Sequence, residues 1–345
     1  MNVDRVLLAQ PRGFCAGVEM AIKALGWMVR IFEPPVYCYH EIVHNQLVVE
    51  RFRALGVIFV DDVTTVPDGA PLMLSAHGSA PEVVVQARSG ARVVVNAVCP
   101  LVTKVHHEVK VRANKGYDII YVGHQGHEEA VGTMAVQPEA VSLVETSSDV
   151  DALVPTGRPV ALLAQTTLSH DEWRGVMEHA QSRFPDLWMP GRSDLCFATT
   201  NRQIALRNIA GQADAVVVIG SENSSNTVAL TKVARAAGVS RIHRVNRADE
   251  LPDDLDGTVA VTAGASAPEE LVREVLDRLA PRLGATVVDD IFEDEYFPPP
   301  PELRDLLKAV AAVAALSVGG PSQADSGLDA DRSTAASDVL DELTA

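Results

Sequence analysis

Val6-Leu7-Leu8-Ala9-Gln10-Pro11-Arg12-Gly13-Phe14-Cys15-Ala16-Gly17-Val18 decides the fold. The apolar run at 6–9 reads as a short buried strand that stops at a proline. A Gly-Phe-Cys-Ala-Gly turn then feeds apolar residues spaced three and four apart from 18 to about 31, which predicts a helix. A thiol is therefore held at a strand-to-helix turn, with small neighbours that let a bulky group approach. At a helix N-terminus the outward N–H groups and the dipole favour thiolate over thiol. Two further cysteines stand in the same kind of place.

Outward from this turn, short apolar runs alternate with helical stretches along most of the chain. Strands are expected at 36–39, 57–60, 72–75, 93–95, 119–122, 160–164, 215–219, 242–245 and 259–262. Helical spacing covers 81–89, 102–115, 171–184 and 227–237. Alternation of this kind gives parallel sheets covered on both faces, with ligands gathered at the carboxyl ends of the strands. The rhythm is threefold. Cys15, Cys99 and Cys196 are 84 and 97 residues apart, and polar turns at His44-Asn45, His127 and Ser224 follow them by 29, 28 and 28 residues. A second polar turn closes each repeat: Ser75-Ala76-His77-Gly78, Gln165-Thr166-Thr167 and Thr262-Ala263-Gly264-Ala265-Ser266. The side chains are not repeated, so this is a repeat of topology. The expected division is three α/β units at 1–98 (with the first strand and Cys15), 99–195 and 196–297. Residues 298–345 carry a proline run, one short helix and an acidic tail. From Gly319 onward six acids face one base, which predicts disorder.

The chain has 345 residues and a net charge of −17, which argues against nucleic acid or an anionic membrane as a partner. The N-terminal residues hold no signal-peptide pattern, and the apolar stretch 306–318 is too short to span a bilayer. Four cysteines without an export signal suggest a reducing compartment, so a cytoplasmic enzyme is the expectation.

Cys15, Cys99 and Cys196 could converge on one metal centre or be three buried structural thiols. Structural zinc normally shows a C-x-x-C pair, which this sequence lacks. Three thiolates on a [4Fe–4S] cluster would leave one iron open as a Lewis acid. Cys38, inside an apolar run, reads as core. The turns carrying His44, His77, His127, Ser224, Ser225, Asn226 and Ser266 supply neutral donors and helix N-termini, a fit for a phosphate or diphosphate. Glu129 is the carboxylate within this set. It is either a general acid whose pKa burial has raised or a solvated acid in a first helical turn.

Several longer stretches resemble the hydroxymethylbutenyl diphosphate reductases, the IspH or LytB family. They are Gln10 through Val18, His40-Glu41-Ile42-Val43-His44-Asn45, Ser75-Ala76-His77-Gly78, Cys99-Pro100-Leu101-Val102-Thr103-Lys104-Val105-His106 and Gly123-His124-Gln125-Gly126-His127. Gln165-Thr166-Thr167-Leu168-Ser169, Cys196-Phe197-Ala198-Thr199-Thr200-Asn201-Arg202-Gln203, Asn223-Ser224-Ser225-Asn226 and Thr262 through Pro268 continue the match in order, from about residue 6 to 304. The resemblance implies a three-lobed trefoil of α/β units with small parallel sheets around a central [4Fe–4S] cluster. It implies Cys15, Cys99 and Cys196 as ligands to three irons, with the fourth iron open. His44, His77, Ser224, Ser225, Asn226 and Ser266 would hold the substrate diphosphate. His127 would position substrate, and Glu129 would deliver a proton with Thr166. The implied reaction is reductive loss of the hydroxyl of an allylic diphosphate, giving isopentenyl and dimethylallyl diphosphate at the end of the non-mevalonate pathway. Ferredoxin or flavodoxin would supply electrons. Where the family usually has proline between His and acid, this chain has His127-Glu128-Glu129. The rival expectations are an open-iron hydro-lyase and a non-catalytic diphosphate-binding regulator.

Overall fold

The strand expected at 6–9 runs longer, as β1 (Asn2–Gln10), and α1 (Ala16–Ile31) begins at the residue after Cys15. The computed structural model describes residues 1–90, 93–289, 291–318 and 330–344. In chain order there follow β2 (Val36–Tyr39), α2 (Gln46–Ala54), β3 (Val57–Val60), β4 (Leu72–Leu74), α3 (Pro81–Ser89), β5 (Val94–Asn96) and α4 (Pro100–Asn114). Next come β6 (Asp118–Val122), α5 (Glu128–Met134), β7 (Val141–Val144), α6 (Ser147–Ala152), β8 (Val160–Ala164) and α7 (His170–Arg183). The last part carries α8 (Phe197–Ala210), β9 (Ala215–Ile219), α9 (Ser225–Ala236), β10 (Ile242–Val245), β11 (Asp256–Ala263), α10 (Glu269–Leu279), β12 (Ala285–Asp289), α11 (Pro301–Val318) and α12 (Ala336–Thr344).

The strands form three sheets, in the orders β10-β9-β11-β1-β12, β3-β2-β4-β5 and β7-β6-β8, and every pairing among them is parallel. Interior strands of such sheets are buried on both faces, which is why they read as unbroken apolar runs. All five residues of β9 are buried, as are Val6 to Ala9 of β1. Two compact units contain them. The larger, Met1–Cys15, His44–Gln46 and Leu101–Asp294, holds the five- and three-stranded sheets; the smaller, Ala16–Val43, Leu47–Pro100 and Glu295–Ala345, holds the four-stranded sheet. Cys38 lies in β2 with no exposed surface, as its apolar neighbours implied.

The first strand is placed differently from the grouping with residues 1–98. β1 lies between β11 and β12, with Leu8 opposite Val261 on one side and Val287 on the other. An apolar run of four encodes burial but not the identity of a partner some 250 residues downstream.

The acidic tail needs a second correction. Residues 319–329, its first part, lie outside the described residues, but 330–344 are ordered and end in α12, which packs on α1 within the smaller unit. The Lys23 ammonium is buried with Asp331, donating to its carboxylate at 3.3 Å, to its carbonyl at 2.8 Å and to the Thr334 carbonyl at 3.3 Å. Tyr296 donates to the same carboxylate at 2.9 Å. The Ala336 N–H donates to Glu19 Oε2 at 2.7 Å, so an acid of α1 satisfies the start of α12. Gly26 is matched to this helix: a Cβ there would stand 2.8 Å from Val339 Cγ1. Removing one member of a buried ion pair leaves the other charge uncompensated. Asp331→Ala is therefore expected to cost about 3 kcal/mol in urea-induced unfolding, whereas Asp341→Ala, whose partner Arg51 reaches it at the surface, is expected to cost under about 1 kcal/mol.

Candidate functional site

In the larger unit five of the functional turns follow the carboxyl ends of parallel strands, and the Cys196 turn follows α7 instead. β1 leads to Cys15, β6 to His127, β8 to Thr166, β9 to Ser224 and β11 to Ser266. Two glycines let the turns after β9 and β11 approach α9. A Cβ on Gly220 would lie 2.4 Å from Thr227 Oγ1, and one on Gly264 would lie 2.1 Å from it. Neither position can accept a side chain without moving the helix that presents Ser224, Ser225 and Asn226.

Cys15 is fixed by its N–H donating to Ala265 O at 3.0 Å, and Cys196 by its N–H donating to Thr166 O at 3.0 Å. Cys196 caps α8, its Sγ accepting from Thr199 N–H at 3.2 Å and lying 3.0 Å from Thr199 Oγ1. Burial pushes the Cys196 thiol up to about 12, and the nearby Cys15 pushes in the same direction. The sequence argument for a thiolate at a helix N-terminus is thus reversed for Cys196 in the bare protein, because desolvation outweighs the dipole. A metal ion would displace that proton, as coordinated thiols are deprotonated.

Arg202 links the two cysteine turns mechanically. It stands on α8, two turns beyond Cys196, and is 1% exposed. Its guanidinium donates to Gly13 O at 2.8 and 3.1 Å, to Phe14 O at 3.2 Å, to Ala198 O at 3.0 Å and to Glu293 at 3.1 Å. A planar fork with five donors is matched to this set of acceptors, and an ammonium is not. Arg202→Met leaves the Glu293 charge without its cation, held by Asn201 alone, and strips two carbonyls of the Cys15 turn of their donor, an expected loss of about 3–5 kcal/mol in chemical denaturation.

Glu129 is 3% exposed and is clamped by one residue: Thr166 N–H donates to Oε1 at 2.7 Å, and Thr166 Oγ1 lies 2.9 Å from Oε2. Burial raises its carboxyl from 4.5 to about 7; the Thr166 bonds oppose the rise and nearby Asp194 adds to it. Glu128, its neighbour in the first turn of α5, is not fully buried. His127 caps α5, with Nδ1 accepting from Glu129 N–H at 3.2 Å. In the neutral ring the proton then sits on Nε2.

The hydroxyl and imidazole residues form one connected group in this unit. Ser266 Oγ donates to His44 O at 2.8 Å and lies 3.5 Å from Ser224 Oγ, which caps α9. The His44 and His127 rings meet edge to face at 5.5 Å, and Asn223 Nδ2 is 3.4 Å from His44 Nδ1. Asn226 donates to Thr199 Oγ1 at 3.2 Å and accepts from Ala265 N–H at 2.9 Å, tying the Cys196 cap to the Cys15 turn. Ser225 Oγ receives Thr167 Oγ1 at 2.9 Å and Gln165 Nε2 at 3.3 Å. His44, Thr166, Ser224, Ser225, Asn226 and Ser266 are all buried. Oriented hydroxyls and a helix N-terminus suit an anion.

The remaining expected residues belong to the smaller unit. Cys99 follows β5 and immediately precedes α4, its N–H donating to Ala76 O at 3.0 Å. His77 follows β4, in the same turn as the buried Ser75. Thr199, Gln165, Thr167, Asn223, Asp194 and Arg202 were not singled out from the sequence as site residues. Gln165, Thr167 and Asn223 lie in the polar turns, and Thr199 stands three residues after Cys196 as the N3 position of a cap does.

A family model described as LytB protein matches residues 6–280. The 4-hydroxy-3-methylbut-2-enyl diphosphate reductase of Rhodopirellula baltica is 45% identical over 318 residues, covering 90% of this chain and 99% of that protein. A Mycobacterium bovis protein named 4-hydroxy-3-methylbut-2-enyl diphosphate reductase 1 is 46% identical over 310 residues, covering 88% of this chain and 92% of its own. Among solved structures, the E-1-hydroxy-2-methyl-but-2-enyl-4-diphosphate reductase of Plasmodium falciparum superposes with a TM-score of 0.86 at 32% identity, over 90% of this chain and 99% of that one.

Proposed function

Because the chain belongs to the LytB protein family, we propose that it reductively removes the hydroxyl of (E)-4-hydroxy-3-methylbut-2-enyl diphosphate, giving isopentenyl and dimethylallyl diphosphate. The net change takes two electrons and two protons: the C–O bond breaks, the oxygen leaves as water and one C–H bond forms. The observation that carries the reading is Glu129, a buried carboxyl whose pKa burial raises to about 7 and whose Oε2 meets the Thr166 hydroxyl.

The residues present fit an iron–sulfur cluster. Cys15, Cys99 and Cys196 are each partly exposed and each stand directly before a helix, while the fourth cysteine, Cys38, is sealed in a sheet. We assign these three as ligands of a [4Fe–4S] cluster with one open iron. When bound, such a cluster would pass single electrons and offer a Lewis acid to the substrate hydroxyl. Its electrons would come from a ferredoxin or flavodoxin.

The protein's own part is to bind and protonate. His44, His77, Ser224, Ser225, Asn226 and Ser266 would grip the diphosphate, with the α9 N-terminus favouring negative charge. In Glu129, Oε1 faces an N–H donor, so an acidic proton must sit on Oε2. From there it bonds Thr166 Oγ1, freeing that hydroxyl's own hydrogen to point onward. Thr166 thus passes a proton outward while Glu129 stays dry. His127, with its proton on Nε2, would donate to a substrate oxygen.

A general acid must enter the step protonated. The turnover rate at saturating substrate and chemical reductant is therefore expected to fall as pH rises through about 7. In a parallel assay without reductant no product should form. Turnover without reductant would identify a hydro-lyase instead.

A further inference from the structure

We propose that the outer face of α4, together with the loop at 190–194, is the docking surface for a small acidic one-electron carrier protein; the proposal rests on the reductase reading above. The chain as a whole carries −17, yet residues 100–116 contain Lys104, Lys110, Arg112 and Lys115 against a single acid, Glu108. Val102, Val105 and Val109 bury the inner side of α4, which turns Thr103, His107, Lys110 and Asn114 to solvent, followed by Lys115.

The acids on this face are already neutralised. Glu108 lies 3.5 Å from Arg112 Nε, and buried Asp194 pairs with Lys104 at 3.2 Å. His106 is desolvated, its pKa lowered to about 4, so it stays neutral. Lys110, Lys115 and exposed Arg192 have no ion-pair partner among the described residues, and so the face keeps a net positive charge.

Its position matters as much as its sign. The chain from 188 to 194 runs along α4: the Arg112 guanidinium stacks over Trp188 at 3.7 Å, and Lys104 Nζ reaches Ser193 O at 3.4 Å. Two residues past Asp194 the chain reaches Cys196, and α4 itself starts directly after Cys99. The cationic face therefore leads to two of the three proposed ligands. Each carrier gives up one electron and leaves oxidised, so two encounters supply one turnover, and electron transfer weakens steeply with distance. On a strongly acidic protein, an acidic carrier is repelled everywhere except at a local positive patch, which both attracts and orients it.

The test uses the iron-loaded enzyme, an acidic [2Fe–2S] ferredoxin as the carrier, and reduced methyl viologen as a small-molecule donor. For the double variant Lys110→Glu/Arg192→Glu, KM for reduced ferredoxin should rise about tenfold or more at low salt. The Kd for ferredoxin measured by calorimetry should rise in parallel, and the fall of kcat/KM with ionic strength should flatten. Viologen-driven turnover should stay within about twofold. Arg235→Glu, which reverses an exposed base on α9 instead, should leave ferredoxin kinetics unchanged. Should the double variant lose its folding transition, Lys110→Gln and Arg192→Gln, each expected to raise KM about threefold, decide the matter. Unchanged ferredoxin binding in the variants, or an equal effect of Arg235→Glu, overturns the docking surface. A wild-type enzyme that fails with viologen overturns the reductase reading instead.

Discussion

Glu129→Gln is expected to slow reduction about a hundred- to ten-thousand-fold while iron content and substrate affinity stay at wild-type values. Gln retains an acceptor oxygen for Thr166 N–H and fills the same volume, so the Thr166 clamp has no reason to open. What disappears is the proton on Oε2. The fold offers a check on this interpretation. The folded protein holds the Glu129 proton more tightly than the unfolded chain does, because burial raises its pKa from 4.5 to about 7. Stability contributed by this group is therefore present below about 4.5 and lost as pH climbs to about 7. Glu129→Gln removes that dependence, so above pH 7 the variant should unfold no more readily than wild type. A dead enzyme with an undisturbed melting transition assigns the loss to proton delivery. Full activity would remove Glu129 from the chemistry.

The second large effect is expected at the cysteines. Cys15→Ser, Cys99→Ser and Cys196→Ser should each lose most of the iron on anaerobic reconstitution, because a serine hydroxyl is a poor substitute for a thiolate on iron. Cys38→Ser should keep its iron. It should instead lose about 1–3 kcal/mol of stability from placing a hydroxyl inside the four-stranded sheet. Iron content and unfolding free energy thus separate the two kinds of cysteine in one set of four proteins. Equal iron loss in all four would show that the wrong three were chosen.

Much of this site could be read from the chain because its logic is local. The turn at Gly13 to Cys15, the cap at Ser224 and the polar turns after β6, β8 and β11 all lie where apolar runs end, and the Cys196 cap lies directly before a helix. Tertiary facts were not legible. β1 pairs with strands from the far end of the chain, and its four apolar residues are silent on that choice. The acidic composition of 330–344 resembles a solvated tail, but α12 is ordered by Glu19, Lys23 and Gly26 of α1, three residues that look unremarkable where they stand. The exposed edge strands β7 and β12 lack the unbroken apolar signal of the interior ones. Burial distinguishes the two acids of the His127-Glu128-Glu129 motif. Both acids sit in the first turn of α5, but only Glu129 points to the Thr166 clamp. For Cys196 the local rule gave the wrong sign, because desolvation depends on the packed surroundings rather than on the helix end.

The most direct measurement is the electron balance of the anaerobically prepared, iron-loaded protein acting on (E)-4-hydroxy-3-methylbut-2-enyl diphosphate, with isoprenyl diphosphates quantified against reductant oxidised. The account predicts isopentenyl and dimethylallyl diphosphate together, with two electrons consumed for every molecule of product. Substrate returned unchanged by fully loaded protein, or product formed with no electrons consumed, would contradict it.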